Sequence, residues 1–384
     1  MIVPMRKFLV PEIIFGVGAL AEVGQAVRRL GGTRVFVVSD PGVIGAGWVD
    51  ASMEHLDEAG LSVHLWSDLT PNPKDHEIAA GFKEYVQSGC DALVAIGGGS
   101  CIDTAKSIAV LSGNGGQILD YEGIDKVTKP IPPLVMCPST GGTGADVSQF
   151  AVITDTTRLL KATLIGRALV PDISITDPRL LLTMPPDLTA HCGMDALSHG
   201  IEAYVSRAAS YLTDIHALES IRLVVEHLPR SVESPADLDA REGMARASLS
   251  AGMAFTNAIL GCVHALSHQI GGALDLQHGL LNAILLPHVM RFNAAADPAR
   301  YVAVAEALGA PVEGMGHAEA AQAACDEVRL LADKLGIPRG LADLGVTRGH
   351  FELFAENALH DACMTTNPRE VSAVDLVQIF LAAL

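Results

Sequence analysis

The first 180 residues alternate between short apolar runs and segments with helical spacing of apolar positions. Compact runs rich in β-branched residues predict buried strands over residues 34–39, 61–66, 91–96 and 133–137. Helical spacing between them predicts helices over 78–87 and 100–111, and two further runs, 150–154 and 161–165, predict a hairpin. Because continuous apolar strands that alternate with helices are typical of a covered parallel sheet, this part predicts an α/β fold.

Strand patterns stop beyond a series of prolines that ends at Pro185 and Pro186. Helices are predicted over 188–206, 212–228, 240–268, 279–292, 298–308, 317–335 and 373–384. A chain of 384 residues is long enough for two domains. We therefore predict an α/β domain over residues 1–184 and an all-α domain over residues 185–384.

Composition and charge restrict the possible partners and the compartment. The formal net charge of −18 opposes binding to nucleic acid or to an anionic membrane surface. No apolar run approaches transmembrane length, and residues 1–16 lack the features of a signal peptide. The seven cysteines are scattered and form no CxxC, which is typical of reduced thiols in a cytoplasmic protein.

A glycine-rich loop follows the third predicted strand and leads into a helix. It reads Gly97-Gly98-Gly99-Ser100, with Asp103 in the next turn. Glycines allow backbone N–H groups to approach an anion, and a helix N-terminus favours negative charge. A plain tight turn is the alternative, and the loop is not GxGxxG. We favour pyrophosphate binding because three consecutive glycines exceed what a turn requires.

Other candidate cofactor contacts also follow predicted strands. Thr140 and Thr143 lie in a loop of small residues after the fourth strand, and their hydroxyls could bond a phosphate or an amide. Asp40 ends the first strand, where a carboxylate can bind ribose and would repel a 2′-phosphate, which favours NAD over NADP. A helix-capping role for Asp40 is an equally good interpretation. Asn72, in TPNP, is by default a turn residue.

Five histidine and aspartate positions predict a metal site in the helical part. Asp195 and His199 are four residues apart, as are His264 and His268, so each pair shares one helix face. His278 follows ten residues after His268 in the same apolar, glycine-rich stretch. Imidazole and carboxylate suit a divalent cation, but the spacing alone leaves open which of the five bind it.

The assembled motifs resemble those of the iron-containing (group III) alcohol dehydrogenase family. They are GGGSCIDTAK, PSTGGTGADVS, GMDALSHGIEAYVS, HALSHQIGG with LQHG, and DACMTTNPR, and they span nearly the full length. The resemblance implies a Rossmann-like nucleotide-binding domain that meets a helical metal domain, the dehydroquinate synthase-like architecture. It also implies catalysis in the cleft between them and a homodimer or higher homo-oligomer.

The resemblance also implies roles for single residues. Metal binding falls to Asp195, His199, His264 and His278. His268 is placed beside the metal, and we hypothesise that it passes the substrate's proton toward solvent. Cofactor contacts are implied for Asp40, Asn72, Gly97, Gly98, Gly99, Ser100, Asp103, Thr140, Thr143 and Lys161. The chain departs from the common family pattern at Ser139, at Ala145-Asp146 and at Gln269.

We therefore expect an enzyme that uses NAD and a divalent metal to interconvert a primary alcohol or diol and its aldehyde. Fe²⁺ rests on the resemblance, since the ligand types suit Zn²⁺ and other divalent ions equally. Alternatives within the superfamily are a glycerol or polyol dehydrogenase and a maleylacetate-type reductase. A lyase or a metal-dependent hydrolase is the alternative from another class, and the glycine loop argues against a hydrolase.

Overall fold

The computed structural model describes residues 7–384. The expectation about a signal peptide falls partly on residues 1–6, which lie outside the described residues. The protein has a parallel sheet with flanking helices in its first part and is helical in its second, so the predicted fold class is confirmed.

Six parallel strands form the main sheet in the order β1-β9-β6-β4-β2-β3. Its strands are β1 (Glu12–Phe15), β2 (Arg34–Val38), β3 (Ser62–Trp66), β4 (Ala92–Gly97), β6 (Leu134–Pro138) and β9 (Ile173–Thr176). The four strands predicted from apolar runs agree with the structure to within one residue at each end. The other two, β1 and β9, are four residues long and pair with each other, and their short patterns gave no signal.

Helices cover both faces of this sheet. They are α1 (Val23–Arg29), α2 (Pro41–Gly45), α3 (Trp48–Glu58), α4 (Asp75–Ser88) and α5 (Gly99–Asn114). Along β2, Val35 and Val37 pack in one hydrophobic cluster, whereas Phe36 and Val38 pack in the other. Because successive strand side chains point to opposite faces, a strand buried on both faces is apolar at nearly every position, as β2, β4 and β6 are.

A smaller sheet beside the main one contains the predicted hairpin. β7 (Phe150–Asp155) pairs antiparallel with β8 (Leu160–Ile165), and β8 also pairs parallel with β5 (Gly123–Ile124). The Nζ of buried Lys106, on α5, donates to the backbone oxygens of Ala145, Ser148 and Phe150. These bonds hold the chain that enters β7 against the helix that follows the glycine loop.

The second part of the chain is helical. Its helices are α6 (Pro186–Val205), α7 (Tyr211–Glu233), α8 (Leu238–Ala258), α9 (Cys262–Leu274), α10 (His278–Asn293), α11 (Pro298–Ala307), α12 (His317–Lys334), α13 (Phe351–Ala358) and α14 (Ala373–Ala382). All but α13 overlap predicted helical segments. α6, α9 and α10 are nearly enclosed by the others, which explains why their sequences are apolar on most sides.

The prediction of one continuous helix over residues 240–268 is wrong. α8 ends at Ala258, Ile259 adopts a left-handed φ of 61°, and α9 begins at Cys262 at an angle of 102° to α8. The break leaves two N–H groups of the first turn of α9 without helical partners. Asn367 accepts from the N–H of Cys262 and Glu202 from that of Val263. These distant partners, and no local proline, stabilise the break between the two helices.

Within residues 7–384, no single helix is both long and apolar enough to cross a membrane. α8 and α9 together meet the length and composition requirement, but they are the pair that is bent by 102°.

Candidate active site

Four side chains of the kinds that bind metal ions, here called the donor set, come together from three helices at the wall of a cleft. Asp195 and His199 lie one turn apart on α6, His264 lies on α9, and His278 begins α10. The Oδ1 of Asp195 is 4.0 Å from Nε2 of His199 and 3.8 Å from Nε2 of both His264 and His278. Two donors that each lie about 2.1 Å from one ion are at most about 4.2 Å apart, so each of these three spacings from Asp195 allows a shared ion. The ligand atoms of Asp195, His199 and His264 lie within 4.8 Å of one another, in a group that does not include His278.

Asn282 indicates where the lone pairs of these donors point. It is fully buried on α10, one turn beyond His278. Its Nδ2 lies 2.7 Å from Oδ1 of Asp195, 3.1 Å from Nε2 of His264 and 3.0 Å from Nε2 of His278. Its Oδ1 has no hydrogen-bond partner among the described residues. Three acceptors converge on one NH₂ group, which has only two hydrogens to donate, and the unpaired Oδ1 of Asn282 lies beside them. The result is a polar pocket suited to a cation.

The imidazoles of the donor set are electrically neutral. Burial lowers the pKa of His264 and of His278 well below the usual value, and the neighbouring imidazoles lower both further. Burial also lowers the pKa of His199, against the opposing effect of Asp195. A neutral imidazole keeps a lone pair, which is the form that binds metal ions.

A buried carboxyl group orients one of these imidazoles. The Oε2 of Glu202 lies 2.5 Å from Nδ1 of His264, and its Oε1 accepts from the backbone N–H of Val263. Burial raises the pKa of Glu202 to about 8. Because the Nδ1 of His264 faces Glu202, its Nε2 faces the donor set, which is the usual arrangement of a metal-ligating histidine.

His268 lies outside the converging set. It is one turn beyond His264 on α9, and its ring stacks on that of His278 with centroids 5.3 Å apart. The Nδ1 of His268 lies 2.8 Å from Oδ2 of Asp361. The pair His264 and His268 therefore shares one helix face, as predicted, but the two rings contact different carboxyl groups.

The donor set shares a single cleft of about 700 Å³ with the glycine-rich loop. α5 begins at Gly99, and no side chain caps it, so the N–H groups of its first turn are available to an anion. A Cβ on Gly98 would lie 3.0 Å from Cγ2 of Thr140, and one on Gly99 3.1 Å from Cγ2 of Thr143. A side chain at either position would press on the neighbouring loop, so glycine allows the two loops to pack this closely.

Gly97 differs from the other two glycines. It is the last residue of β4, is buried, and does not line the cleft. A Cβ there would collide with the side chain of Cys101. Glycine is required at this position because the side chain of Cys101 packs against it behind the loop.

Thr140 presents an unused hydroxyl to the cleft. Its Oγ1 is buried and has no hydrogen-bond partner within residues 7–384. The Oγ1 of Thr143, by contrast, accepts from the N–H of Ala145. An unpaired buried hydroxyl is unfavourable, so the Thr140 side chain fits a bound molecule that would complete its hydrogen bonding.

Asp40 caps a helix and also lines the cleft. Its Oδ1 accepts from the N–H groups of Gly42 and Val43 at the start of α2, and its Oδ2 accepts from the thiol of Cys101. Asp40 therefore caps α2, which was one of the two roles that the sequence suggested for it. The carboxylate still borders the space that a nucleotide would fill.

Asn72 and Lys161 meet across the mouth of the cleft. The Nζ of Lys161 donates to Oδ1 of Asn72 at 2.5 Å, and Nδ2 of Asn72 donates to Oδ1 of Asp275 at 2.8 Å. Asn72 adopts a left-handed φ of 56°, as a turn residue can. Burial lowers the pKa of Lys161 to about 8, and Asp103 opposes this. These contacts join the sheet part to the end of α9.

Ser100 and Asp103 complete the predicted cofactor set at the start of α5. The Oγ of Ser100 accepts from the N–H of Asn72, and Oδ2 of Asp103 accepts from the N–H of Val152. Burial raises the pKa of Asp103 to about 6, although Lys106 opposes this. All the predicted cofactor residues except Gly97 line the same cleft as the donor set.

Sequence reasoning assigned no role to Asn282, Glu202 or Asp361. Asn282 follows His278 by four residues, and Glu202 lies on the polar face of the Asp195 helix, so helical spacing offered a signal for both. Asp361 begins the motif DACMTTNPR. Nothing in the sequence indicated that it would contact His268.

Comparison with known proteins agrees with this arrangement. The sequence matches the family "Iron-containing alcohol dehydrogenase" over residues 11–178 and the "Fe-containing alcohol dehydrogenase family, C-terminal" over residues 189–384. The chain belongs to the iron-containing alcohol dehydrogenase family, and the resemblance drawn from its motifs is confirmed. It is accordingly an enzyme, an oxidoreductase of the alcohol dehydrogenase class.

The similarity to individual relatives extends over the full chain. The protein is 41% identical over 377 residues to the NAD-dependent methanol dehydrogenase of Bacillus methanolicus, covering 98% of this chain and 99% of the relative. It is 41% identical over 382 residues to a 1,3-propanediol dehydrogenase of Citrobacter freundii, covering 99% of each. A solved structure of 1,3-propanediol oxidoreductase superposes with a TM-score of 0.96 at 40% identity, covering 99% of this chain and 100% of that one.

Proposed function

We propose that the protein is an NAD(H)- and divalent-metal-dependent dehydrogenase that interconverts a primary alcohol or diol and its aldehyde. The observation that carries this proposal is the position of two complementary sites in one cleft. The donor set lies in one part of the cleft, and the uncapped N-terminus of α5 lies in another part. A hydrolase would have no use for the second site.

Asp195, His199, His264 and His278 hold the metal in this proposal. A divalent ion bound there would polarise the oxygen of an alcohol or aldehyde and so make the carbon-bound hydrogen easier to transfer or to add. The three imidazoles and one carboxylate do not select among Fe²⁺, Zn²⁺ and other divalent ions. Fe²⁺ is our proposal because of the family to which the chain belongs.

The residues of the glycine loop bind the dinucleotide. The first-turn N–H groups of α5 receive the pyrophosphate, and the unpaired hydroxyl of Thr140 gains a hydrogen-bond partner. Ser100, Asp103, Thr143, Lys161 and Asn72 line the path from this loop toward the donor set. A dinucleotide held by these residues would supply the nicotinamide that takes up hydride from an alcohol or gives it to an aldehyde.

Asp40 favours NAD over NADP in this proposal. Its carboxylate borders the cleft and would repel a 2′-phosphate. Asp40→Gly should increase the efficiency with NADP relative to NAD, while the lost cap destabilises α2 only slightly. If the ratio of the catalytic efficiencies with NADP and with NAD is unchanged in the variant, Asp40 does not determine which cofactor is used.

His268 takes the proton that the alcohol oxygen releases. It lines the cleft, and its Nδ1 is engaged by Asp361, which leaves Nε2 for the substrate side. Since proton transfer by a positioned group contributes about 10²–10⁴-fold to a rate, His268→Gln should lower turnover by at least ten-fold. Full turnover of that variant, with an unchanged pH profile, would contradict the role.

Small, weakly polar substrates suit the walls around the donor set. Phe150, Phe255 and Leu260 line the cleft, and the ring of Phe255 stacks on His199 with centroids 4.4 Å apart. The names of the relatives, which act on methanol and 1,3-propanediol, support the same class of substrate.

The decisive experiment measures metal content and cofactor binding separately. Protein prepared without air should bind one divalent ion per chain, and Asp195→Ala should abolish this binding. Activity that is lost in air and restored by anaerobic Fe²⁺ would support iron, whereas full activity with zinc and no iron would contradict it. Addition of NADH should change its fluorescence, and no change would contradict a dehydrogenase function.

We further propose two domains divided near residue 184, a homo-oligomeric state and a cytoplasmic location. The seven cysteines are all free thiols, which supports a reducing compartment. Tyr211, Leu212 and Ile215 are exposed neighbours on α7, an apolar surface that a second copy could cover. The mass of the protein in solution tests the oligomeric state, and a monomer at all concentrations would contradict it.

A further inference from the structure

Asp361 and His268 form a buried pair that the proposed metal and cofactor sites leave unexplained. Their side chains are 3% and 2% exposed, and Oδ2 of Asp361 lies 2.8 Å from Nδ1 of His268. The two residues are 93 positions apart in the sequence. A buried contact between a carboxylate and an imidazole is weak evidence for stability, since desolvation offsets much of the attraction. Its position at the edge of the cleft requires another explanation.

The carboxylate of Asp361 is held rigidly on its far side. Its Oδ1 accepts from the backbone N–H of Cys363 at 2.8 Å, at the start of the short helical turn Ala362–Thr366. The end of that turn is tied to the break between α8 and α9, because the hydroxyl of Thr366 donates to the carbonyl of Leu260. The segment that carries Asp361 is thereby fixed relative to the helix that carries His268.

The ring of His268 is also fixed by its neighbours. It stacks on His278 at an interplanar angle of 21° and meets His264 edge-on at 75°, with centroids 6.1 Å apart. With Nδ1 donating to Asp361, the neutral tautomer of His268 carries its lone pair on Nε2. That nitrogen is the one available to a proton from the cleft.

We propose that Asp361 is a positioning residue for hydride transfer, fixing the tautomer and ring orientation of His268. This inference rests on the proposed function. During alcohol oxidation the O–H bond breaks and its proton passes to Nε2 of His268, while the hydride leaves carbon for the nicotinamide. Asp361 touches neither substrate nor cofactor and acts through the imidazole, which it also stabilises once that ring is protonated.

The charge state of Asp361 agrees with this role. Burial by itself raises its pKa, but His268 and the hydrogen bonds from Cys363 outweigh burial and hold the pKa below its usual value. Asp361 is therefore a carboxylate throughout the neutral range and can only accept hydrogen bonds. An amide in its place could donate to Nδ1 and so turn the lone pair of His268 away from the cleft.

The test is a double-mutant cycle on the full-length metal-loaded enzyme, with Asp361→Asn, His268→Gln and the double variant. Asp361→Asn should lower kcat for alcohol oxidation at least ten-fold, with metal content unchanged and KM for NAD within two-fold. In the His268→Gln background the same change should have less than a two-fold effect, because its only route to the reaction is already removed. Two losses that multiply would overturn the proposal, as would an unchanged kcat in Asp361→Asn.

Controls separate this role from loss of structure. Asp177→Asn removes an equally buried carboxylate that accepts from the N–H groups of Gly18 and Leu20, away from the cleft. It should lower the melting temperature without lowering kcat at a temperature where the protein is folded. If Asp361→Asn does not fold, Asp361→Ala with added formate replaces it. Formate should restore kcat of that variant and leave His268→Gln unchanged, and a lack of restoration would overturn the proposal.

The design also distinguishes failure of the underlying function. Wild-type protein that binds neither a divalent ion nor NADH would contradict the proposed function itself. If the wild-type protein binds both and oxidises alcohols, but Asp361→Asn leaves kcat unchanged, only the inference about Asp361 is contradicted.

Discussion

Glu202 and His264, 62 residues apart in the sequence, are joined by a hydrogen bond of 2.5 Å between Oε2 and Nδ1. The other oxygen of Glu202 accepts from the N–H of Val263, so the carboxyl group cannot rotate freely. One side chain thus fixes both the start of α9 and the direction of the His264 ring. A carboxyl group that orients a histidine in this way usually contributes substantially to the metal affinity of a site to which that histidine belongs.

Glu202→Gln should weaken metal binding about 10–100-fold, because the amide NH₂ can donate to Nδ1 of His264 and so leaves the ring less firmly oriented toward the donor set. Titration of the metal-free protein with Co²⁺, followed by absorbance, measures the change. Glu219→Gln, at a half-exposed position on α7, is the matched control and should leave the affinity unaltered. Equal affinities of the Glu202 variant and the wild type would exclude the orienting role.

Thr140→Val should weaken NADH binding about five- to ten-fold, the value of one hydrogen bond, without lowering the free energy of unfolding. The reason is that Oγ1 of Thr140 is unpaired in the free protein and lines the cleft. Fluorescence titration and urea unfolding measure the two quantities. Thr163→Val removes a hydroxyl that is likewise buried and unpaired but lies outside the cleft. A loss of NADH affinity in both variants would contradict the assignment.

Lys161→Met should alter how stability depends on pH. The pKa of Lys161 is lowered by burial to about 8 in the folded protein, against 10.5 as its ordinary value. Between these values the unfolded chain binds the extra proton, so the wild type gains stability as pH rises from about 8 to about 10.5.

The variant has no such group and should lack this gain. The free energy of unfolding of the wild type, relative to Lys161→Met, should therefore increase by about 1–3 kcal/mol across that window. Urea unfolding of both proteins at its two ends measures the difference. A constant difference would mean that Lys161 keeps an ordinary affinity for its proton.

Gly279→Ala should destabilise the protein by about 1–3 kcal/mol and weaken metal binding. A Cβ at Gly279 would strike the backbone of His191 and lie 3.2 Å from Cβ of Asp195, so α10 must move away from α6 and carry His278 with it. Gly45→Ala, in α2, meets nothing within 4 Å and should be neutral or slightly stabilising. Unimpaired metal binding in Gly279→Ala would show that the α6–α10 contact tolerates displacement.

Much of the fold was predictable because the spacing of apolar residues within each strand and helix indicates that element. The buried strands β2, β4 and β6 are apolar at nearly every position, so apolar runs located them to within a residue. The edge strand β3 is only partly buried, but its interrupted apolar pattern located it equally well. The break at Ile259 was not predictable, since the sequence on both sides of it remains apolar and helical in spacing. It depends on Asn367, 105 residues from Cys262, which supplies an acceptor that the local sequence does not contain.

The candidate site divides in the same way. The sequence by itself determined the donor types and their helical spacing, because residues four apart on a helix share a face. Spacing alone could not decide which of the five residues leaves the set, and only the family resemblance set His268 aside. Only the crossing of α6, α9 and α10 brings Asp195, His199, His264 and His278 together and turns His268 toward Asp361. A hydrogen bond forms only within about 3 Å, so such pairings depend on how distant helices pack, which periodicity does not encode.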